Sequence, residues 1–314
     1  MLKLVKARLM QLVVLLFVLS LVTFTLMKLA PGDPVLLILQ ADEVAVTQAE
    51  EAALREELGF DQPVLLQYGQ WMFKLLQLDL GESHIKGKPV AKELMDRLPD
   101  TLQLTAGGIL VMVMISAPLG ILAAKYAGRW PDHLSRLLAL LGASIPAFWL
   151  GLILIYIFAY KLQWFPTMGK GGLQHMVLPS FALGFAMASV YARLLRSGLL
   201  ESLSQEYIRA ARGRGIAEWR VLLIHGLRAA LLPIVTVFGM SLGSILGGTV
   251  VIETLFSWPG LGSMVVTAIF QRDYPIIQGY ILLVGVCVVV VNLLVDLSYG
   301  LLDPRIRYGK GESR

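Results

Sequence analysis

LQLTAGGILVMVMISAPLGILAA, at Leu102–Ala124, runs for 23 residues without an Asp, Glu, Lys, Arg or His. As a helix rising about 1.5 Å per residue it is ~35 Å long, enough to cross a hydrocarbon layer about 30 Å thick. A backbone in lipid has no water to bond, so such a stretch satisfies its own N–H and C=O groups as a helix. That reading sets the solvent for the rest of the chain. Five more apolar runs lie outward from it: Leu9–Met27 on one side, and Leu137–Tyr160, Met176–Leu195, Ala229–Ile252 and Ile276–Ser298 on the other.

Composition agrees. Of 314 residues, 56% are hydrophobic and 16% charged, with a mean hydropathy of +0.70. Soluble domains carry about 25% charged residues, so a large water-exposed surface is excluded. The net charge of +5 is concentrated in particular loops, which speaks for membrane orientation and against nucleic-acid binding. The single cysteine, Cys287, sits in VGVCVVVV and reads as a small buried hydrophobe. Lys3, Lys6 and Arg8 precede the first run as they would in a secretory signal. The apolar part is too long for a signal core, however, and Lys28 follows where small cleavage-site residues are needed. It reads as an uncleaved span.

Lysine and arginine gather in alternate loops. They are Lys3, Lys6 and Arg8; Lys125, Arg129 and Arg136, opposed only by Asp132; Arg193, Arg196, Arg209, Arg212, Arg214, Arg220 and Arg228; and Arg305, Arg307, Lys310 and Arg314. The loop from Pro31 to Thr101 is acidic, and Glu253–Pro275 has one Arg against two acids; Lys161–His175 is mildly basic and dissents. The positive-inside rule then predicts both termini and the loop between spans four and five in the cytoplasm. The expected fold is an all-α polytopic membrane protein with six transmembrane helices. It has a long extracytoplasmic loop between helices 1 and 2 and a cytoplasmic coupling helix between helices 4 and 5. Residues 1–101 form the first helix plus a structured outer loop, and 102–314 form a five-helix core with coupling loop 196–228. Within the outer loop, Thr47–Leu58 predicts a short helix opened by a Thr47–Glu50 capping box and stopped by Gly59. GQWMFKLLQLDLG, further on, suits a membrane interface.

Residues able to carry chemistry are few. GESHIKGKP, at Gly81–Pro89, has the wrong glycine spacing for a P-loop and Pro89 where a magnesium-binding hydroxyl belongs. His84, His133, His175 and His225 fall on different loops, so no metal site is expected. No catalytic residue is assigned. Gly239, Gly243 and Gly247 form a GxxxGxxxG ladder for close helix packing, within the chain or against a partner subunit. Pro146 should kink the third span. Asp296, near the inner end of the sixth, is a charge at membrane depth that a loop arginine would pair. Glu253 stands where the fifth span meets the turn SWPGLG, and with Trp258, Pro259 and Gly260 it is the candidate pathway rim or gate.

EYIRAARGRG, at Glu206–Gly215, predicts a small helix along the inner membrane face ending at glycines. Tyr207, Arg209, Ala210, Ala211, Arg212 and Gly215 are its candidate coupling residues, with Ala210 and Ala211 offering a flat docking face. YIRAARGRGIAEWRVLLIHGLRAALLP (Tyr207–Pro233) resembles the cytoplasmic coupling loop of the dipeptide/oligopeptide/nickel class of ABC-importer permeases. The likeness extends through LAPGDP after the first span, FDQPVLLQY at Phe60–Tyr68, DLGES at Asp79–Ser83 and RLPDTLQL before the second span. It continues in SIPAFWLG, WFPTMG at Trp164–Gly169, HMVLPS, ARLLRSGLLE, VIETLFSWPGLG, RDYPIIQG and NLLVDLSYGLLDPRIR. Departures are small: Ala229 replaces the usual Asn, and Arg209 stands where other importer classes have the Glu of their EAA loop.

The resemblance implies a non-catalytic channel half in the bacterial inner membrane, binding no cofactor itself. Its implied partners are a second homologous permease, two cytoplasmic ATPases that bind ATP and magnesium, an extracytoplasmic substrate-binding protein and membrane lipid, with no nucleic acid. WFPTMGKGGLQHMVLPS and AIFQRDYPIIQ resemble the nickel branch, so nickel, free or chelated, is the expected cargo, with dipeptides, oligopeptides or metallophore-opines as the alternative. A stand-alone secondary transporter would need charged relays in its spans, and an intramembrane enzyme a Ser/His, Asp/Asp or metal pair. Neither pattern is visible.

Overall fold

The computed structural model describes residues 2–29, 35–36, 39, 47–57 and 59–302. LAPGDP, apart from Leu29, the end of the predicted Thr47–Leu58 helix at Leu58, and the basic tail from Asp303 lie outside the described residues. Among the described residues the chain is helical, without strands; an isolated bridge pairs Glu82 with Pro89. In order the helices are α1 (Leu2–Leu29), α2 (Gln48–Glu57), α3 (Val64–Leu76), α4 (Val90–Lys125), α5 (Trp130–Ser144), α6 (Ala147–Leu154), α7 (Leu173–Leu203), α8 (Glu206–Gly213), α9 (Leu227–Leu255), α10 (Leu261–Gln271) and α11 (Tyr274–Leu302). A π-helical segment, Ile155–Lys161, continues α6, and another, Val221–Gly226, leads into α9.

Five helical stretches are long and apolar enough to cross a membrane, and α5 with α6 makes a sixth if the pair counts as one span. The predicted kink at Pro146 is a break: the two halves are bent by 99°. The cause is local. Ile145 is forced extended (φ −89°, ψ 119°) by the proline that follows it, and the helix restarts with Pro146 as its cap. The capping box opens α2 as the sequence predicts. Thr47 N–H and Oγ1 donate to Glu50 Oε2 at 2.9 and 2.8 Å, and Glu50 N–H returns to Thr47 Oγ1. Gly59, at φ +69°, follows. A helix absent from the sequence reading is α10, eleven residues directly after the SWPG turn.

The chain divides into two compact units: Met1–Asp100 with Pro259–Val289, and Thr101–Trp258 with Val290–Arg314. The first has a core of Val90 and Leu94 from α4, Leu261, Met264, Val265 and Ala268 from α10, and Tyr274, Ile276 and Ile277 from α11. Its Gly81–Pro89 loop is tied down by Asp273, which accepts hydrogen bonds from Ser83 Oγ and from the His84 N–H at 3.2 Å. The second is built around α7, whose Leu178, Ala182 and Leu183 pack with Leu104, Leu154, Ile252, Phe256 and Trp258. Small residues bring these helices together, which is how helices associate when lipid removes the hydrophobic drive. A Cβ on Gly184 would collide with the carbonyl of Gly108, and one on Gly142 with Ser189 Oγ.

Candidate functional site

The predicted coupling segment is α8, with an extended Gln205 at its N-cap. Ile208 and Ala211, three residues apart, turn inward onto Val221, with Leu203 and Ile216 around them. The flat alanine face expected from the sequence is therefore split: Ala210 is exposed and Ala211 is buried against its own chain. The outer surface of α8 is instead Tyr207, Arg209, Ala210 and Arg212. Tyr207 Oη lies 2.8 Å from Ser202 Oγ, and Arg209 pairs with Glu206 at 2.7 Å. Arg212 makes a forked contact with Glu218, Nε to Oε2 at 3.1 Å and Nη2 to Oε1 at 2.6 Å. This pins α8 to the start of the next helical turn, a pairing the sequence reading missed.

Gly215 adopts φ +75°, as a helix-ending glycine should. Its N–H donates to Arg212 O at 2.9 Å, and Ile216 N–H reaches Ala211 O at 3.3 Å. Those two bonds, with Ile216 packed on the inward face of α8, are a complete Schellman motif. A Cβ at Gly215 would touch nothing, so the demand for glycine there is one of backbone conformation alone.

Of the gate candidates, Glu253 is fully buried and its Oε1 accepts from Thr101 Oγ1 at 2.7 Å. Trp258 is 1% exposed, in the α7 core, and its N–H bonds Glu253 O at 2.8 Å. Ser257 stands at φ +52°, and Phe256 O accepts from Gly169 N–H at 2.8 Å. Pro259 and Gly260 belong to the other unit, where Gly260 caps α10. The glycine ladder is also divided. A Cβ on Gly239 would sit 2.6 Å from Val295 Cγ1, whereas Gly243 and Gly247 are exposed and Gly247 has open space beside it.

A second site, not among the expected ones, lies at Asp132. It is wholly buried and takes two guanidiniums, each as a fork. Arg196 Nε and Nη2 donate at 2.6 and 2.8 Å, Arg136 Nε and Nη2 at 3.1 and 2.7 Å, and Gly128 N–H adds a fifth bond at 2.9 Å. The clamp joins α5 to α7. The one available hint was a lone acid among Lys125, Arg129 and Arg136. Among the described residues no three His, Cys, Asp or Glu side chains converge to hold a metal. His175, flagged by the likeness to the nickel branch, is half-buried with Nδ1 unbonded.

Long apolar helices, a short amphipathic helix between two of them and buried polar contacts within the bundle define a polytopic helical membrane protein. Residues 116–308 match the family model of the binding-protein-dependent transport system inner membrane component, and residues 1–105 match that of its N-terminal part. The chain belongs to that family: it is a multi-pass inner-membrane protein and a permease subunit of an ABC importer. The glutathione transport system permease protein GsiC of Salmonella paratyphi A is 42% identical over 310 residues, covering 98% of this chain and all of the relative. That of Escherichia coli K12 is 42% identical over 308 residues with the same coverage. Among solved structures, the methionine ABC transporter MetNI in inward-facing conformations contains a chain with TM-score 0.56 at 19% identity, over 67% of this chain and 96% of its own. That likeness is one of fold.

Proposed function

We propose that this chain is one half of a translocation channel importing short peptides of the glutathione class, driven mechanically by ATPases on the cytoplasmic side. The observation that carries the cargo reading is the full-length similarity to permeases named for glutathione, itself a tripeptide. It favours the peptide alternative over the nickel expected from the sequence. In this reading a second, homologous permease completes the channel, two ATPases bind ATP and magnesium, and a binding protein delivers cargo from outside. The chain itself performs no chemistry.

Both termini and α8 lie in the cytoplasm, because the Lys/Arg excess is on that side. An ATPase contacts Tyr207, Arg209, Ala210 and Arg212. Ile208 and Ala211 carry the push inward to Val221, and the Schellman turn at Gly215 together with the Arg212–Glu218 fork passes it to α9. Glu253 and Trp258 stand at the outer rim, closed where both are buried. Alternating access then requires these contacts to exchange between two arrangements.

The test is the reconstituted four-subunit membrane complex with its binding protein, measuring ATP hydrolysis and uptake of labelled glutathione, a dipeptide and Ni²⁺. Peptide, and not Ni²⁺, should be taken up and should stimulate hydrolysis. Gly215→Val should keep normal abundance, because the strain of about 1–2 kcal/mol is local, yet lose stimulated turnover. Gly215→Asn, which tolerates positive φ, should retain it. Ni²⁺ uptake without peptide uptake would overturn the cargo. Full stimulated turnover in Gly215→Val would overturn the coupling route.

A further inference from the structure

The outer loop holds a helix whose apolar side faces away from the protein. On α3, Leu65, Met72, Phe73 and Leu76 share one face by helical spacing, and Leu65 and Leu76 are 86% and 77% exposed. The opposite side is gripped by α1. Gln67 Oε1 accepts from Lys28 Nζ. One turn further in along α1, the Phe24 ring meets Tyr68 edge-on at 5.3 Å and stacks on Trp71 at 6.0 Å. Another turn in, Ser20 Oγ lies 3.0 Å from Tyr68 Oη. Ser20 is eight residues, or roughly 12 Å of helix, from Lys28. It lies well inside the apolar run Leu9–Met27 that crosses the bilayer.

We propose that α3 is a membrane-seated interfacial helix, packed along the end of the first span with its Leu65–Met72–Phe73–Leu76 face against lipid acyl chains. A helix bonded to a spanning helix at the level of Phe24 and Ser20 shares that helix's solvent. The exposed face of α3 is also continuous in character with that of α1, where Phe17, Val18, Leu21, Val22 and Leu26 are exposed to the same lipid. Exposed to water instead, such a patch would invite association. Lys28 sits over the Phe24 and Phe60 rings at 5.7 and 4.8 Å, and Lys74 lies on the same side of α3. These cations stand where headgroup phosphates are, as interfacial helices place theirs. The leaflet is the outer one under the orientation proposed above; contact with lipid does not depend on that orientation.

The experiment uses the full complex in liposomes of phosphatidylethanolamine and phosphatidylglycerol, with Cys287→Ala as background. Single cysteines replace Leu65, Phe73, Leu76 and, on the opposite side, Lys74, and each carries a nitroxide. Met72→Cys substitutes for any of the three that fails to reach wild-type abundance. At 65, 73 and 76, collisions with oxygen should exceed those with water-soluble chromium oxalate at least several-fold, and at 74 the order should reverse. Free access of chromium oxalate to 73 and 76 would overturn the proposal. So would labels shielded from both reagents only when the binding protein or the second permease is present, because a protein would then cover the face.

Discussion

Asp132 and Glu253 are both carboxylates sealed completely from solvent in the same unit, and they are held in opposite ways. Asp132 is gripped by two forked guanidiniums and a backbone N–H; Glu253 takes a hydroxyl from Thr101, 152 residues earlier in the chain. Two planar forks fix both position and charge. A single hydroxyl turns about its own C–O bond and serves either an acceptor or a donor, so it fixes its partner's direction less tightly than a fork does. The contrast separates a charge-paired fastening from a lighter contact, and it places the fastening between α5 and α7, at the opposite end of α5 from the break at Pro146.

The largest effect should come from undoing the fastening. Asp132→Ala orphans Arg196 and should cost about 3 kcal/mol, the low end for breaking a buried pair, because half-exposed Arg136 is partly screened by water. Thermal unfolding of the purified complex reads this directly. Removing the charges together, as Asp132→Leu with Arg196→Met, should recover most of the loss. Equal instability in the double variant would mean that shape, not charge, makes the clamp.

Glu253→Ala should act on transport more than on folding. Uptake should fall about tenfold, equivalent to about 1.4 kcal/mol in the barrier, at wild-type abundance. Normal uptake would reduce Glu253 to a second fastening and erase the contrast with Asp132. Thr101→Val should be milder, near 1 kcal/mol of stability for one lost hydrogen bond, measured by the same unfolding experiment.

The smallest effect concerns pH, in the other unit. Burial pushes the His84 imidazole below its ordinary value, against the pull of Asp273 beside it. Protonation therefore favours opening of the Gly81–Pro89 loop, and the stability of the closed loop is complete above about pH 6.5 and declines as pH falls below it. Amide exchange in that loop should speed up at pH 5.5 relative to pH 7.5, after correction for intrinsic rates. His84→Gln should remove the difference.

Much of this was legible in residue order because it is encoded locally. Apolar runs, the Thr47–Glu50 capping box and the glycine ending of α8 each depend on a few consecutive residues, and all are present, with the third run broken in two at Pro146. The family motif around Tyr207–Pro233 was legible for the same reason. Cargo was less so: short outer motifs resembled the nickel branch, whereas similarity along the whole chain sides with peptide permeases.

Tertiary structure alone decided the rest. Arg196 meets Asp132 across 64 residues, and Ala211 turns inward because Val221 and Ile216 close over it. Gly239 meets Val295 closely whereas Gly247, two ladder steps on, has open space beside it, and Pro146 bends the chain by 99° where a kink was expected. Helical spacing says which residues share a face, but not what that face meets. In a membrane, where every outward face is apolar, hydropathy cannot separate a lipid-facing side from a protein-facing one. Only packing assigns the partner.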